Sequence, residues 1–238
     1  MGYISSKTIY FERPGPINTE KTLELAKMRA EELGIKHIIV PSISGDSVFK
    51  AIKIFKNSSV QIICVSNPPR YYNISDLKRW ITYSEIPELS KMIEDWERKG
   101  VTKVFASIPE EIAKELRKLG VKVVRGASPF QGADFSLKLA LGGITIGEVI
   151  ILSLRLLSPG LVVAIESTIK AADEGAIPID KEVISTGGTE KGLDTAIVIK
   201  PSISLKVFDE IDGLEVREII CKPRTITGIS GKLLERKT

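Results

Sequence analysis

Apolar residues recur along the chain at two alternating spacings, and the alternation predicts a succession of helices and strands. Leu23, Ala26, Ala30 and Leu33 share one face of a helix that Asn18 can cap and Gly34 can close in the left-handed conformation. His37-Ile-Ile-Val-Pro41 follows as a short strand, and Val48, Ala51, Ile52 and Phe55 mark a second helix. Residues 60–65 form an almost unbroken apolar run, the pattern of a strand covered on both faces. Asn67-Pro68-Pro69 stops it, and the stretch to Ser84 reads as irregular. Leu89, Met92, Ile93 and Trp96 predict a helix ended by Gly100, with a strand at 101–106. Ser107-Ile-Pro-Glu110 has the form of a capping box opening a helix through Leu119. Gly120 closes that helix, and 121–124 is the next strand.

Three junctions share one design: Leu33-Gly34-Ile35, Lys99-Gly100-Val101 and Leu119-Gly120-Val121. Each is a helix stopped by glycine and followed by a strand, so the strands they join are expected to lie parallel. In the second half, Ser128-Pro-Phe-Gln-Gly132 reads as a loop. Two helices follow at 144–157 and 161–174, divided by Pro159-Gly160 and apolar enough to predict burial. Strands are expected at 182–185, 195–200 and 214–220, the first two separated by a Gly/Thr-rich loop. Residues 225–238 have weak periodicity and read as a tail. No Pro/Ser-rich linker intervenes. The expected fold is therefore one α/β domain over 1–224, three-layered α/β/α around a mostly parallel, mixed sheet.

Composition narrows the chemistry. The chain has 238 residues, 34 Lys and Arg against 30 Asp and Glu, and a net charge of +4. Cys64, Cys221 and the single His37 supply neither a disulfide framework nor zinc-ligand spacing. Basic and acidic residues are interleaved and aromatics make up 6%, so no nucleic-acid partner is expected. The N-terminus lacks the apolar core of a signal peptide. It matches the loose myristoylation pattern Met1-Gly2 with Ser6, which is short enough to arise by chance. The most apolar region, 143–165, is broken by Glu148, Arg155 and Pro159-Gly160, so no membrane span is expected and the cytoplasm is the simplest compartment. Only two glutamines occur beside many Lys, Glu and Ile, a thermophile-like bias. The apolar helices either close a homo-oligomer or cover the sheet.

Two loops are candidates for holding an anion. The first, Ser42-Ile-Ser-Gly-Asp-Ser47, lies between a predicted strand and a predicted helix. Ligands of open parallel sheets bind beyond the carboxyl ends of the strands, and a helix N-terminus offers unpaired amides there. Gly45 permits close backbone approach, and the hydroxyls of Ser42, Ser44 and Ser47 can donate to phosphate oxygens. The competing reading is plain capping by Ser44, which Asp46 favours because a carboxylate repels phosphate. The second loop contains Thr186, Gly187, Gly188, Thr189 and Gly192, with Lys191 as an added charge and Asp194 just beyond. Its glycines allow an anion nest; the competing reading is a hairpin turn.

Taken together, these segments resemble a known family. His37-Ile-Ile-Val-Pro-Ser-Ile-Ser-Gly-Asp-Ser47, followed by Gln61-Ile-Ile-Cys-Val-Ser-Asn-Pro68, is similar to the C-terminal domain of pyruvate kinase. The loop at Thr186 to Gly192 resembles that domain's second effector loop. The chain from about Lys7 to Arg224 is more similar still to a mainly archaeal family of stand-alone proteins of that type. The matching segments include Tyr10-Phe-Glu-Arg-Pro-Gly-Pro16, Leu141-Gly-Gly-Ile-Thr145, Thr186-Gly-Gly-Thr189 with Asp194-Thr-Ala196, and Arg217-Glu-Ile-Ile220 with Lys222-Pro-Arg224. The resemblance implies a mixed five-stranded sheet between helical layers, and bound flavin mononucleotide (FMN). The two loops would hold the phosphate and the ring would lie near Asn67 and Phe130. The family's His-x-Phe-Ser-Gly loop reads Ser128-Pro-Phe-Gln-Gly132 here, so no proton transfer by that histidine is available.

Catalytic groups are few. The chain has no room for the catalytic barrel of a pyruvate kinase, roughly 250 residues. His37 enters an apolar strand and reads as a core or edge residue, and Cys64 as buried and inert. Glu166, among Val162, Val163, Ala164 and Ile165, is expected on a solvent-facing stripe, the alternative being a buried carboxyl with a displaced pKa. Two functions follow: an FMN-binding protein with a redox role left open, or a non-catalytic regulatory module that binds a sugar phosphate.

Overall fold

The computed structural model describes residues 2–78, 87–189 and 191–225. Its main sheet has seven strands in the order β1 (Ile9–Phe11), β9 (Glu215–Pro223), β8 (Thr195–Lys200), β7 (Val183–Gly187), β2 (His37–Pro41), β3 (Gln61–Ser66) and β6 (Lys122–Arg125). β8 is antiparallel to both neighbours and the other four pairings are parallel. The mostly parallel, mixed three-layer α/β/α expectation holds. The sheet has seven strands rather than five, and its edge strand β1 was not legible, because three residues are too few to show a period.

Side-chain alternation along the central strands divides the interior in two. Ile38, Val40, Ile62, Cys64, Ile184, Ala196 and Val198 face one layer, built by α1 (Thr19–Leu33), α2 (Asp46–Ile54) and α4 (Glu110–Lys118). Ile39, Ile63, Val65, Val183, Ile197 and Ile199 face the other, built by α7 (Pro159–Asp173) with α6 (Ile146–Arg155) packed on it. Both faces of β2, β3, β7 and β8 are thus covered, which is why they read as continuous apolar runs.

Several expectations are corrected. Residues 103–105 form β5 (Lys103–Phe105) in a separate antiparallel pair with β4 (Tyr71–Asn73), not a strand of the main sheet. Only Val104 turns inward, against α3 (Pro87–Arg98) and Ile74, while Lys103 and Phe105 are exposed; a central strand needs both faces apolar. β4 also lies inside the stretch read as irregular. Ser107 does not cap α4: its hydroxyl donates to the Asn67 carbonyl, Glu110 pairs with Arg117 and Arg125, and Pro109 stands at the N-cap. Asn18 occupies the N-cap of α1, but its amide group donates back to Arg13 and Gly15. The two predicted helices are separate, but the break lies at 156–158; Pro159 and Gly160 form the first turn of α7, where proline costs no hydrogen bond. An unexpected helix, α5 (Ala133–Leu141), precedes α6, and α6 exposes much of its apolar surface, contrary to the burial predicted for it. The tail read at 225–238 falls outside the described residues from 226 onward.

Helix α7 meets the sheet at a backbone crossing. A Cβ added at Gly187 would stand 1.9 Å from the Gly160 carbonyl oxygen. Gly187→Ala is therefore expected to cost about 2–3 kcal/mol, the upper range for overpacking. Gly34→Ala, which meets open space at φ +69°, should cost about 1 kcal/mol. Urea unfolding of both variants checks the ranking.

Candidate functional site

Parallel strands carry their following loops to one edge of the sheet. β2 and β7 are adjacent and parallel, with Ile39 opposite Ser185, so the loops after Pro41 and Gly187 are neighbours. From β2 the chain runs outward through β3 to β6, then returns over the opposite face through α7 to β7 on the other side of β2. The two candidate loops therefore meet where the strand order reverses, the customary ligand position of an open sheet.

In the first loop the backbone is partly satisfied from within. The Gly45 amide donates to the Ser42 hydroxyl oxygen at 2.8 Å, and the Asp46 amide to that of Ser44 at 3.3 Å. The amides of Ile43, Ser44 and Ser47 find no acceptor among the described residues. Gly45 is itself the N-cap of α2 at φ +94°, and a Cβ there would press on Ile112 at 2.7 Å. The turn thus requires glycine on its own account. Ser47 is buried, while Asp46 is exposed in the first turn of α2, where the helix dipole favours it.

The second loop has an internal anion. Asp194, fully buried, accepts the amides of Gly15 at 2.9 Å and Thr189 at 3.1 Å, and the Thr195 hydroxyl at 3.0 Å. Gly192, at φ +69°, is pressed against Pro16 and Thr19, and the Thr19 hydroxyl accepts the Leu193 amide. Thr186 and Gly187 belong to β7; the Thr186 hydroxyl donates to the Ile39 carbonyl. Gly188 has no room for a side chain, since its Cβ would stand 2.0 Å from the Gly192 carbonyl oxygen. The hairpin reading of this loop is correct, since β7 and β8 are antiparallel. Some donors are left over: the amides of Gly188 and Gly192 and the hydroxyl of Thr189, a residue only 5% exposed, have no partner among the described residues. An unpaired buried hydroxyl costs about 1–3 kcal/mol, which a bound acceptor would offset.

Asn67 lies just past β3. Its side-chain amide donates to the Ala106 carbonyl at 3.1 Å, and its Oδ1 accepts from the Lys170 ammonium at 3.4 Å. Phe130 is packed in the second core and walls a cleft of about 250 Å³ with Ile146, Ile150, Val207 and Phe208. Asn67 does not line that cleft.

Glu166 departs from the solvent stripe expected for it. It is half-buried, with the Ser128 hydroxyl and the Phe130 amide directed at its carboxylate. Burial pushes its pKa up, while Ser128, Lys170 and the Phe130 amide hold it back. Lys170, one turn further along α7, is buried, and its pKa is lowered by desolvation against the pull of Glu166. The i, i+4 spacing of the two was visible in the sequence, as was the burial of α7 as a whole; that its cover extends to the face carrying Glu166 and Lys170 was not. Burial raises the thiols of Cys64 and Cys221 to about 12, which disqualifies both as nucleophiles. His37 opens β2, at the end opposite the two loops, and its pKa is lowered by burial and then by Lys122 and Lys181. No protein-family model matches the chain.

Folding tightens the hold of Glu166 on its proton, so the ionised group lowers stability as pH rises above its ordinary 4.5. Glu166→Gln should match the wild type near that pH and melt progressively higher than it toward neutrality. Thermal melts across this range check the sign; parallel curves would mean that folding leaves the Glu166 pKa unchanged.

Proposed function

We propose that the protein binds a phosphate-bearing small molecule, FMN foremost, where the loops after β2 and β7 meet, and that it belongs to the stand-alone family its segments resemble. The observation that carries this reading is the pairing of leftover donors on neighbouring loops. Among the described residues, one loop presents the unpaired amides of Ile43, Ser44 and Ser47 at the start of α2, and the other holds the buried Thr189 hydroxyl without a partner. A phosphate dianion accepts from both kinds of donor. Asp194 shapes the second loop rather than contacting the ligand, because its carboxylate is already occupied by three donors. Asp46 opposes the anion from its exposed position. Asn67, with the Lys170 ammonium behind it, offers polar groups to the remainder of the ligand. A bound flavin supplies its own redox chemistry, so the chain needs to bind and orient it without an acid or nucleophile.

A sugar phosphate bound by a regulatory module is the second reading. It is favoured by the lining of the cleft beside Phe130, which includes no residue of either loop, so a flavin ring seated there would lack their phosphate donors.

FMN, riboflavin and a sugar bisphosphate should be compared by thermal shift and calorimetric titration. FMN is expected to stabilise the protein and riboflavin, lacking the phosphate, to do so weakly; stabilisation by the sugar bisphosphate alone selects the second reading. Thr189→Val should raise the ligand-free melting temperature by removing the unpaired hydroxyl, yet weaken FMN about tenfold, equivalent to about 1.4 kcal/mol. Asp46→Asn should tighten binding. Unchanged affinity in both variants removes these loops from the site.

A further inference from the structure

The hairpin of α5 and α6 is folded with its charge inward and its hydrocarbon outward. Within α5 the only buried residue is Lys138, whose ammonium pairs with Glu148 of α6, itself buried. The same Glu148 closes a capping box with Thr145 at the start of α6. Outside this pair, eight Leu, Ile and Val side chains between 137 and 157 are exposed, each by 46–81%. Summed over these residues the exposed area is on the order of 900 Å², close to the roughly 800 Å² that one partner gives a standard interface. Ile146, Val149, Leu152 and Leu156 recur at helical spacing on α6.

We infer that this charge-inverted hairpin, residues 133–157, is a homodimer interface whose occupant is the same hairpin of a second copy of the chain. Two features select that occupant. The first is the charge pattern: the segment carries two acidic and two basic residues, Asp134, Glu148, Lys138 and Arg155, and the central pair is turned inside. A helix that lies on a lipid surface needs a cationic polar face beside its apolar one, and this hairpin lacks it. A partner bearing charge would find nothing complementary, whereas an equally uncharged face does, and the hairpin itself is one. The second is relief. Phe208, 76% exposed, stands at the rim of the cleft lined by Phe130, Ile146 and Ile150, so the patch carries both a projecting group and a recess. A two-fold interface, in which one surface meets itself, uses both. Among the described residues no single helix is long and apolar enough to cross a membrane; α5 and α6 satisfy that test only as a pair, bent by 108°.

Sedimentation velocity on the full chain at micromolar concentration should give a dimer, and hydrogen exchange should show concentration-dependent protection over α5 and α6. Val149→Glu combined with Leu152→Glu, both on the exposed face, should raise the dissociation constant at least 100-fold. Its circular dichroism and FMN affinity should stay unchanged, which separates this interface from the proposed ligand site. Should that variant not fold, Leu156→Ser should still weaken the dimer measurably. A wild-type monomer, a dimer unaffected by these substitutions, or monomeric binding to phosphatidylcholine vesicles overturns the assignment.

Discussion

One carboxylate ties together the parts of the chain from which the candidate site is made. Asp194 gathers the amide of Gly15 ahead of α1, the amide of Thr189 in the glycine-rich loop, and the hydroxyl of Thr195 at the start of β8. The farthest of them, Gly15, is 179 residues from Asp194 in sequence. Each is a donor with no water to turn to, because Asp194 is fully buried. Charge-assisted hydrogen bonds of this kind are about twice as strong as neutral ones, and the arrangement closes only if all three segments are in register. The tight approach of Gly192 to Pro16 and Thr19 follows from the same closure.

That anchoring divides the work between the two loops. A glycine-rich loop with every amide free would be an open nest for any anion; here the internal carboxylate has already claimed the Thr189 amide, while the Thr189 hydroxyl has no partner among the described residues. Further unpaired amides lie at the start of α2, where Gly45 forces a turn that neither Ser42 nor Ser44 can satisfy completely. The proposed binding capacity thus rests on donors that the fold leaves unpaired, on two loops made neighbours by the pairing of β2 with β7.

The α5–α6 hairpin obeys a different constraint. Burying Lys138 with Glu148 carries a desolvation penalty that an apolar pair would avoid, so the ion pair adds little to stability. It does determine which way each helix faces: a slip of either would strand a charge in a dry environment, at a cost of about 3–5 kcal/mol. The helices keep this orientation although it sets leucine and isoleucine against water, a cost that a covering partner removes.

The chain's own pattern determined much of this architecture. The period-two and period-3.6 spacings, the glycines that close helices and the continuous apolar runs of β2 and β3 are local properties, and they prescribed helices, strands and a layered parallel sheet. Both loops were legible for the same reason, since glycine and hydroxyl residues after a strand are read from a few neighbours. Other features were beyond local reading. Whether 103–105 joins the main sheet depends on what covers its second face, and whether α6 hides its leucines depends on where α5 is placed. Whether Asp194 meets a ligand or an amide depends on a residue far away in the chain. Lys170 and Glu166 follow the same rule: their spacing is written in the sequence, but their burial comes from β3, β6 and the 126–130 loop closing around α7. Spacing along a chain reports which groups can face the same way; only the packing of distant segments decides which of them lose water, and a polar group's chemistry changes when it does.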